Sequence, residues 1–190
     1  GVEHMGHHPM GADVDFNPRF VAERLVDDSA VSMGATAENL HDRFPQLTKE
    51  DADRFAVESQ RRATAAWSNG IMRETVVPMS VFTGDGWTVA DRARFLRPDT
   101  SLEGLAELPT PFRAGGRVTA GNSAGLTDGA TAALLASEEA AAELGLDPKM
   151  RLVGFAFAGV EPELMGIGPI PATERVLAQA GLSIEDIGLF

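Results

Sequence analysis

The sequence predicts a layered α/β core that begins late in the chain. After Thr119, apolar runs alternate with helical patterns in the order strand, helix, strand, helix, strand. Residues 1–118 lack this alternation and are expected to form a structure built onto the core. The chain has 190 residues, 44% of them hydrophobic and 23% charged, a composition typical of one globular core or two small ones.

Two helices are predicted after an irregular start. The first spans Ala35 to Arg43, and the second runs from Lys49 to Asn69. Thr48 is placed to cap the second helix, and Gly70 suits the left-handed position that follows it. Apolar or small residues recur at helical spacing, which predicts one buried stripe formed by Ala52, Phe55, Ala56, Ala63, Ala66 and Trp67.

The segment between these helices and the core is predicted to be less regular. The sequence ETVVPMSVF (74–82) fits a strand, and Pro78 within it favours the edge of a sheet. A polar stretch follows and ends in a short helix from Leu102 to Leu108.

The predicted core begins with GATAALLAS (129–137), in which Ala130 to Ala136 form a buried strand. Ser137 caps a helix through Leu144, which stops at Gly145. RLVGFAFAGV (151–160) is predicted as a strand, and IPATERVLAQAG (170–181) as a helix that ends at its last Gly. IEDIGLF (184–190) then begins another strand, and because the chain stops there we expect it to be a segment of a longer protein.

Charge and composition argue against several classes of function. The net charge of −12 and the pI near 4.7 argue against binding to nucleic acid or to an acidic membrane surface. No uninterrupted apolar run approaches the length of about 18 residues that a membrane span needs. The chain contains no Cys, which excludes disulfides, Cys-ligated zinc and a cysteine nucleophile within it and fits a cytoplasmic location.

Two clusters leave alternatives open. HMGHHPM (4–10) offers imidazole and thioether groups to a soft metal, or forms a solvated loop; its spacing matches no closed site, so no metal site is predicted. Arg92, Arg94 and Arg97 lie close together and either bind phosphate through forked guanidinium contacts or belong to an exposed loop.

Three motifs, in order, resemble those of the thiolase family. MGATAENL (33–40) is similar to Met-Gly-x-Thr-Ala-Glu-Asn, and VTAGNSAGLTDGAT (118–131) to Thr-Ala-Gly-Asn-x-Ser-x-x-x-Asp-Gly-Ala. GVEPELMGIGPIPAT (159–173) is similar to Gly-Val-x-Pro-x-x-Met-Gly-x-Gly-Pro-x-Pro-Ala. GVEHMGHHPMG (1–11) and RFAVESQRRATAAWSNG (54–70) resemble further segments of the family, so the resemblance covers nearly the whole chain.

The resemblance implies a thiolase-like α-β-α-β-α sandwich, partial in this chain, with an inserted and mostly helical loop domain. It assigns residues 1–125 to the loop domain that binds coenzyme A, residues 126–150 to the end of the N-terminal half, and residues 151–190 to the start of the C-terminal half. Thiolases acylate one Cys, while a second Cys and a His exchange protons. No position of this chain matches those groups, so no catalytic residue is expected here and the chain alone is expected to be inactive.

For the intact protein, the resemblance implies acyl transfer to or from coenzyme A, as in 3-ketoacyl-CoA cleavage in lipid degradation or the reverse condensation. Coenzyme A thioesters would be substrates and no bound cofactor is expected. A homo-oligomer is expected, with no nucleic acid and no membrane span. The alternative is a noncatalytic coenzyme A-binding or assembly module that lacks the reactive cysteines.

The resemblance also implies ten positions in the coenzyme and acyl site. Arg97 matches an Arg beside the adenine and phosphates, and Ala120 and Gly121 allow the pantetheine arm to lie against bare backbone. Ala124 stands where the family has a Ser, and Ser32 where many biosynthetic relatives have a His. Leu105 and Phe112 match apolar neighbours of the coenzyme, and Met33 and Met165 match methionines of the acyl pocket. Ser123 offers a hydroxyl next to Ala124.

Overall fold

The computed structural model describes residues 1–7 and 17–190. Its strands and helices, in chain order, are β1 (Val2–Glu3), α1 (Arg19–Ala22), α2 (Met33–Arg43), α3 (Lys49–Ser68), β2 (Met79–Phe82), β3 (Trp87–Ala90), α4 (Leu102–Ala106), β4 (Gly129–Ala130), α5 (Glu138–Glu143) and α6 (Pro169–Ala180). Short 3-10 helices lie at Asp28–Val31, Ile71–Glu74, Pro162–Ile167 and Ile184–Asp186. None of the helices in this described part is long and apolar enough to cross a membrane.

The chain divides into two compact units, one formed by residues 1–40 and 126–190 and the other by residues 41–125. Helix α3 is the longest element of the unit 41–125, and local side chains set its ends. Thr48 Oγ1 accepts from the backbone N–H of Asp51 at 3.1 Å, and the Asp51 carboxylate accepts from that of Thr48 at 3.0 Å. Gly70 follows the helix with φ 78°. The predicted helix is confirmed; it begins at Lys49 as predicted and ends at Ser68, one residue before the predicted end.

The buried face of α3 differs from the predicted stripe. Asp53 is only 3% exposed and lies at the centre of that face, flanked at helical spacing by Lys49, Ala56 and Gln60. Phe55 is 78% exposed, so its prediction as a core residue is wrong. Because two residues along an α-helix correspond to a rotation of about 200°, Phe55 lies on the face opposite Asp53.

An antiparallel hairpin follows α3. β2 pairs with β3, with Phe82 opposite Trp87, so the strand predicted for residues 74–82 is confirmed only from Met79 onward, and Pro78 lies just before it. The sequence does not predict β3, because its residues lie in the segment that reads as a polar stretch. The turn contains Gly84 (φ 92°) and Gly86 (φ 150°), and the Asp-Gly pair before an alternating apolar segment is the signal that would have located it.

Helix α4 confirms the short helix predicted from Leu102, although it ends two residues earlier, at Ala106. Ser101 caps it, since its Oγ accepts from the backbone N–H of Gly104 at 3.2 Å. α4 packs against α3 and buries Leu105.

In the other unit, the predicted helix boundaries are confirmed and the strands are not. Ser137 caps α5, and Gly145 and Gly181 adopt φ of 62° and 68° after α5 and α6. Of the strand predicted for residues 130–136, only Ala130 is in a strand, β4, which pairs with β1. Leu134 is 80% exposed, because within the described residues no strand pairs with residues 132–136 and no helix covers them. Residues 184–190 begin with a 3-10 helix instead of a strand.

Residues 151–160 form no paired strand either, but their burial alternates as in one. Every second residue from Gly154 to Val160 is half-buried, and the residues between them are exposed. α6 covers the half-buried face: a Cβ on Gly154 would lie 3.2 Å from Val176 Cγ2, and Arg175 donates to the Phe157 carbonyl at 2.6 Å. The segment therefore presents one covered face and one open face.

Candidate functional site

A pocket of about 460 Å³ lies within the unit 41–125. Four of the ten predicted site residues line it, namely Arg97, Leu105, Ala120 and Gly121. Sequence reasoning missed its other lining residues, which are Asp99, Thr100, Ser101, Gly104 and Leu108. The volume is in the range of small-molecule sites, and the lining combines apolar side chains with a few polar groups.

Arg97 is held at this pocket through its backbone. Its N–H donates to Gln60 Oε1 at 2.8 Å, while Gln60 Nε2 donates to the Phe95 carbonyl at 3.1 Å. Thr100 Oγ1 also donates to the Arg97 carbonyl at 2.8 Å. The Arg97 side chain is exposed and has no ion-pair partner among the residues that the structure describes. A fixed backbone with an uncommitted guanidinium suits the binding of a phosphate group.

Ala120 and Gly121 form the opposite part of the lining in a tight turn. Thr119 is fully buried; its Oγ1 accepts from the Gly121 N–H at 3.2 Å, and its own N–H donates to Asn122 Oδ1 at 2.8 Å. Gly121 lies against α4, where a Cβ would come within 2.3 Å of Leu105 Cδ2 and 2.6 Å of Leu108 Cδ1. A side chain at this position would therefore collide with the helix that lines the pocket.

A buried polar network lies beneath this turn, and sequence reasoning missed it. Lys49 Nζ donates to Asp53 Oδ2 at 2.6 Å and to the Leu105 carbonyl at 2.8 Å. Asn122 Nδ2 donates to Asp53 Oδ1 at 3.0 Å and to the Arg117 carbonyl at 2.8 Å. The network is defined here by Lys49, Asp53 and Asn122. It joins α3, α4 and the loop that contains the turn.

The remaining predicted site residues do not line the pocket. Phe112, Ser123 and Ala124 belong to the same unit and are exposed. Ser32, Met33 and Met165 belong to the unit 1–40 and 126–190, and both methionines are exposed, Met33 more than Met165. The structure therefore brings together four of the residues assigned to the coenzyme, but not Phe112, Ser123 or Ala124, and the residues assigned to the acyl end belong to the other unit.

The segments that carry Ser32 and Met165 are linked by the Asn of the MGATAEN motif. Asn39 Nδ2 donates to Ser29 Oγ at 2.7 Å and to the Glu163 carbonyl at 3.1 Å. Ser32 Oγ accepts weakly from the Ala35 N–H at 3.4 Å at the start of α2. Ser32 thus has a local structural contact of its own.

A second cavity, of about 440 Å³, lies in the unit 1–40 and 126–190. It is lined by Pro18, Val21, Ala22, Asp28 and Val31, so it offers no basic group to an anionic ligand.

Within the described residues no three metal-ligating side chains come together, and His8 and Met10 of the histidine-rich segment lie outside those residues. His4 Nδ1 instead lies 3.1 Å from the Asp128 carboxylate. The pKa of Asp128 is lowered, first by the hydrogen bond from the Gly6 N–H and then by His4.

The family models of the thiolase N-terminal and C-terminal domains match residues 1–139 and 146–190. A 3-ketoacyl-CoA thiolase of Vibrio vulnificus is 44% identical over 189 residues, which are 98% of this chain and 48% of that protein. The 3-oxoadipyl-CoA/3-oxo-5,6-dehydrosuberyl-CoA thiolase of Escherichia coli is 50% identical over 177 residues, 92% of this chain and 44% of the relative. The chain thus spans about half the length of the curated relatives that it matches.

Solved structures agree with this assignment. The acetyl-CoA acetyltransferase of Bacillus anthracis superposes with a TM-score of 0.82 at 37% identity, over 100% of this chain and 50% of that one. Human mitochondrial 3-ketoacyl-CoA thiolase gives a TM-score of 0.79 at 36% identity, over 100% of this chain and 48% of its own. The predicted α/β thiolase-like fold class is therefore confirmed, although this chain forms few of the strand pairings predicted for its core. On both domain matches and on these relatives, the chain belongs to the thiolase family.

Proposed function

We propose that this chain supplies part of the coenzyme A site of a thiolase that transfers acyl groups between coenzyme A and 3-ketoacyl-CoA thioesters. The observation that carries the proposal is that Arg97, Leu105, Ala120 and Gly121, which the family resemblance assigns to the coenzyme, line a single pocket. The relatives named 3-ketoacyl-CoA thiolase support the substrate class.

The chemistry of this pocket suits a long ligand with an anionic end and a thin arm. Arg97 offers a planar, forked donor set to the phosphates, and Asp99 in the same lining restricts the anion to the Arg97 side. Ala120 places only a methyl group beside the arm, while Leu105 and Leu108, which pack against Gly121, form the apolar part of the lining.

The rest of the assignment follows from the same proposal. Phe112, Ser123 and Ala124 lie further along the coenzyme, and Ser32, Met33 and Met165 border the acyl group, where flexible thioethers accommodate varied chains. By the family resemblance, residues 1–125 form the coenzyme-binding loop domain, 126–150 the end of the N-terminal half and 151–190 the start of the C-terminal half; these boundaries differ from those of the two compact units. We further propose that the intact protein is a cytoplasmic homo-oligomer. Cell fractionation and light scattering of the full-length protein test location and assembly.

Replacement of Arg97 tests the proposed site. Arg97→Glu removes the forked donors and adds a repelling charge, so the affinity of the full-length protein for coenzyme A should fall at least about tenfold by calorimetry. Arg94→Glu is the matched control, because it makes the same change in charge three residues away without lining the pocket. Equal affinities of the two variants would contradict the placement of the phosphates.

Activity of the full-length protein distinguishes an enzyme from a binding module. A thiolase cleaves 3-ketoacyl-CoA when free coenzyme A is added, and this cleavage should decrease in Arg97→Glu through a higher KM for coenzyme A, with a smaller change in kcat. Coenzyme A binding without any cleavage would support the noncatalytic module instead.

A further inference from the structure

The network of Lys49, Asp53 and Asn122 holds two walls of the pocket at once. On one side, Lys49 Nζ donates to the carbonyl of Leu105 on α4. On the other side, Asn122 closes the turn that presents Ala120 and Gly121, because its Oδ1 accepts from the Thr119 N–H. Asp53 stands between them, with one carboxylate oxygen on Lys49 and the other on Asn122. The turn and α4, which pack against each other at Gly121, are therefore also linked by three side chains that do not line the pocket.

Because the network is largely buried, the loss of any one of its three side chains should disturb the other two. The Asp53 side chain is 4% exposed and that of Lys49 is 23% exposed, so water replaces a lost partner poorly. A buried carboxylate that loses a donor keeps its desolvation cost without compensation. Asn122 uses both ends of its amide, since Nδ2 donates twice and Oδ1 accepts.

We propose that Lys49, Asp53 and Asn122 are positioning residues that hold the Ala120–Gly121 turn against α4, and thereby fix the shape of the pocket and its affinity for the arm of the ligand. The inference rests on the proposed function, in which this turn contacts the pantetheine arm. Lys49, Asp53 and Asn122 would act on coenzyme binding without touching the coenzyme, because none of them lines the pocket. The nucleotide end, held through Arg97 and Gln60, depends on a different set of hydrogen bonds.

Two probes separate the effect on the arm from a general loss of structure. Coenzyme A contains the arm, whereas adenosine 3′,5′-bisphosphate contains the phosphates and adenine without it. In the full-length protein, Asn122→Ala should weaken the binding of coenzyme A by about tenfold, because the Ala120–Gly121 turn is then no longer preorganised and must become ordered on binding. The affinity for the bisphosphate should stay within about twofold. Asn69→Ala, at an exposed Asn after α3, is the matched control and should change neither affinity.

A second variant adds a pH readout. Asn122→Asp replaces the amide nitrogen 3.0 Å from Asp53 Oδ1 by a carboxylate oxygen. The new carboxylate at the half-buried position 122 repels the buried Asp53 until the two share a proton, so coenzyme A binding by this variant should recover as the pH falls from about 8 to 6. The other charged groups near this position are Lys49 on α3 and Arg117 on the same loop, whose guanidinium donates to the His41 carbonyl. Asn122→Ala is the reference, since phosphate titration of the ligand affects both variants equally.

The outcomes separate the inference from the function on which it rests. If wild-type protein binds neither probe, the proposed function fails. If wild-type protein binds coenzyme A and the Asn122 variants bind it equally well, or lose both probes to the same extent, the positioning inference is overturned. A loss confined to coenzyme A supports it. Should Asn122→Asp not fold, the ratio of the two affinities in Asn122→Ala decides alone. If Asn122→Ala also fails to fold, Asn122→Ser, which supplies a single hydroxyl in place of the amide, takes its place.

Discussion

At the scale of single residues, Gly121 lies in the tightest contact of the pocket. A methyl group there would approach the ends of the Leu105 and Leu108 side chains to 2.3 and 2.6 Å. Leu105 is 7% exposed and has little room to move. Gly121→Ala should therefore lower the free energy of unfolding by about 1–3 kcal/mol, as overpacked cores do, measured by chemical denaturation.

Gly104→Ala is the control for that substitution. Gly104 lies in α4 of the same pocket, and a Cβ there meets only Ser101 Oγ at 3.4 Å. Since Ala is favoured over Gly within a helix, this variant should be neutral or gain about 0.5–1 kcal/mol. If both variants lost stability equally, the close approach of Gly121 to α4 would be contradicted.

The sequence predicted some residues of the pocket and not others for a physical reason. Arg97, Ala120 and Gly121 belong to a charge cluster and a Gly-containing motif, which are visible without a structure. Gln60 and Asn122 act through amide hydrogen bonds to segments 35 to 69 residues away in the chain. A single amide carries no periodic pattern, so only the packed structure locates it. The sequence likewise does not predict the burial of Asp53, because a single carboxylate on a helix normally indicates the exposed face, whereas here it lies on the buried face of α3.

At the scale of elements, α3 carries a charged group whose ionisation is coupled to folding. Glu58 accepts from Arg61 Nε at 2.6 Å and Arg62 Nε at 2.6 Å, and these bonds lower the pKa of Glu58 from 4.5 to about 2. Because the folded-state pKa lies below the unfolded value, the stabilisation is complete above about pH 5 and is lost as the pH falls toward 2. Salt should weaken it, since the three side chains are exposed to solvent.

Glu58→Gln tests this coupling. The denaturation midpoints of wild-type and variant should differ most at neutral pH and low salt, and should converge as the pH approaches about 2. Glu107→Gln removes an acidic group that has no ion pair in the described part of the chain, so it should leave the midpoint nearly unchanged. A difference for Glu58→Gln that persisted at low pH would show that its effect is not electrostatic.

Helix ends were predictable from sequence because their causes are local. The Thr48 cap and the left-handed Gly70 lie within three residues of the end that they fix, and the same holds for Ser137 and Gly181. The strands depended instead on partners distant in the chain. β3 was missed and residues 132–136 were assigned a burial that they do not have.

At the scale of the whole molecule, the segment 151–160 combines a strand-like burial pattern with an incomplete environment. α6 covers one face, while Phe155 and Phe157 lie on the other, 68% and 80% exposed, with ring centroids 5.9 Å apart. Apolar side chains exposed in a row on one face are unusual for a surface in water. The alternating burial is that of a strand in a sheet: α6 covers one face of the segment, and no strand pairs with its edges among the described residues.

Hydrogen exchange of the 190-residue chain tests this description. Backbone amides of 132–136 and 151–160 have no backbone acceptor among the described residues, so they should exchange rapidly. Amides within α3 and α6 are hydrogen-bonded along their helices and should exchange much more slowly. The helices serve as the internal reference in the same sample. If residues 151–160 were protected as strongly as α6, the segment would have to be paired in a sheet, and the open face described here would be wrong.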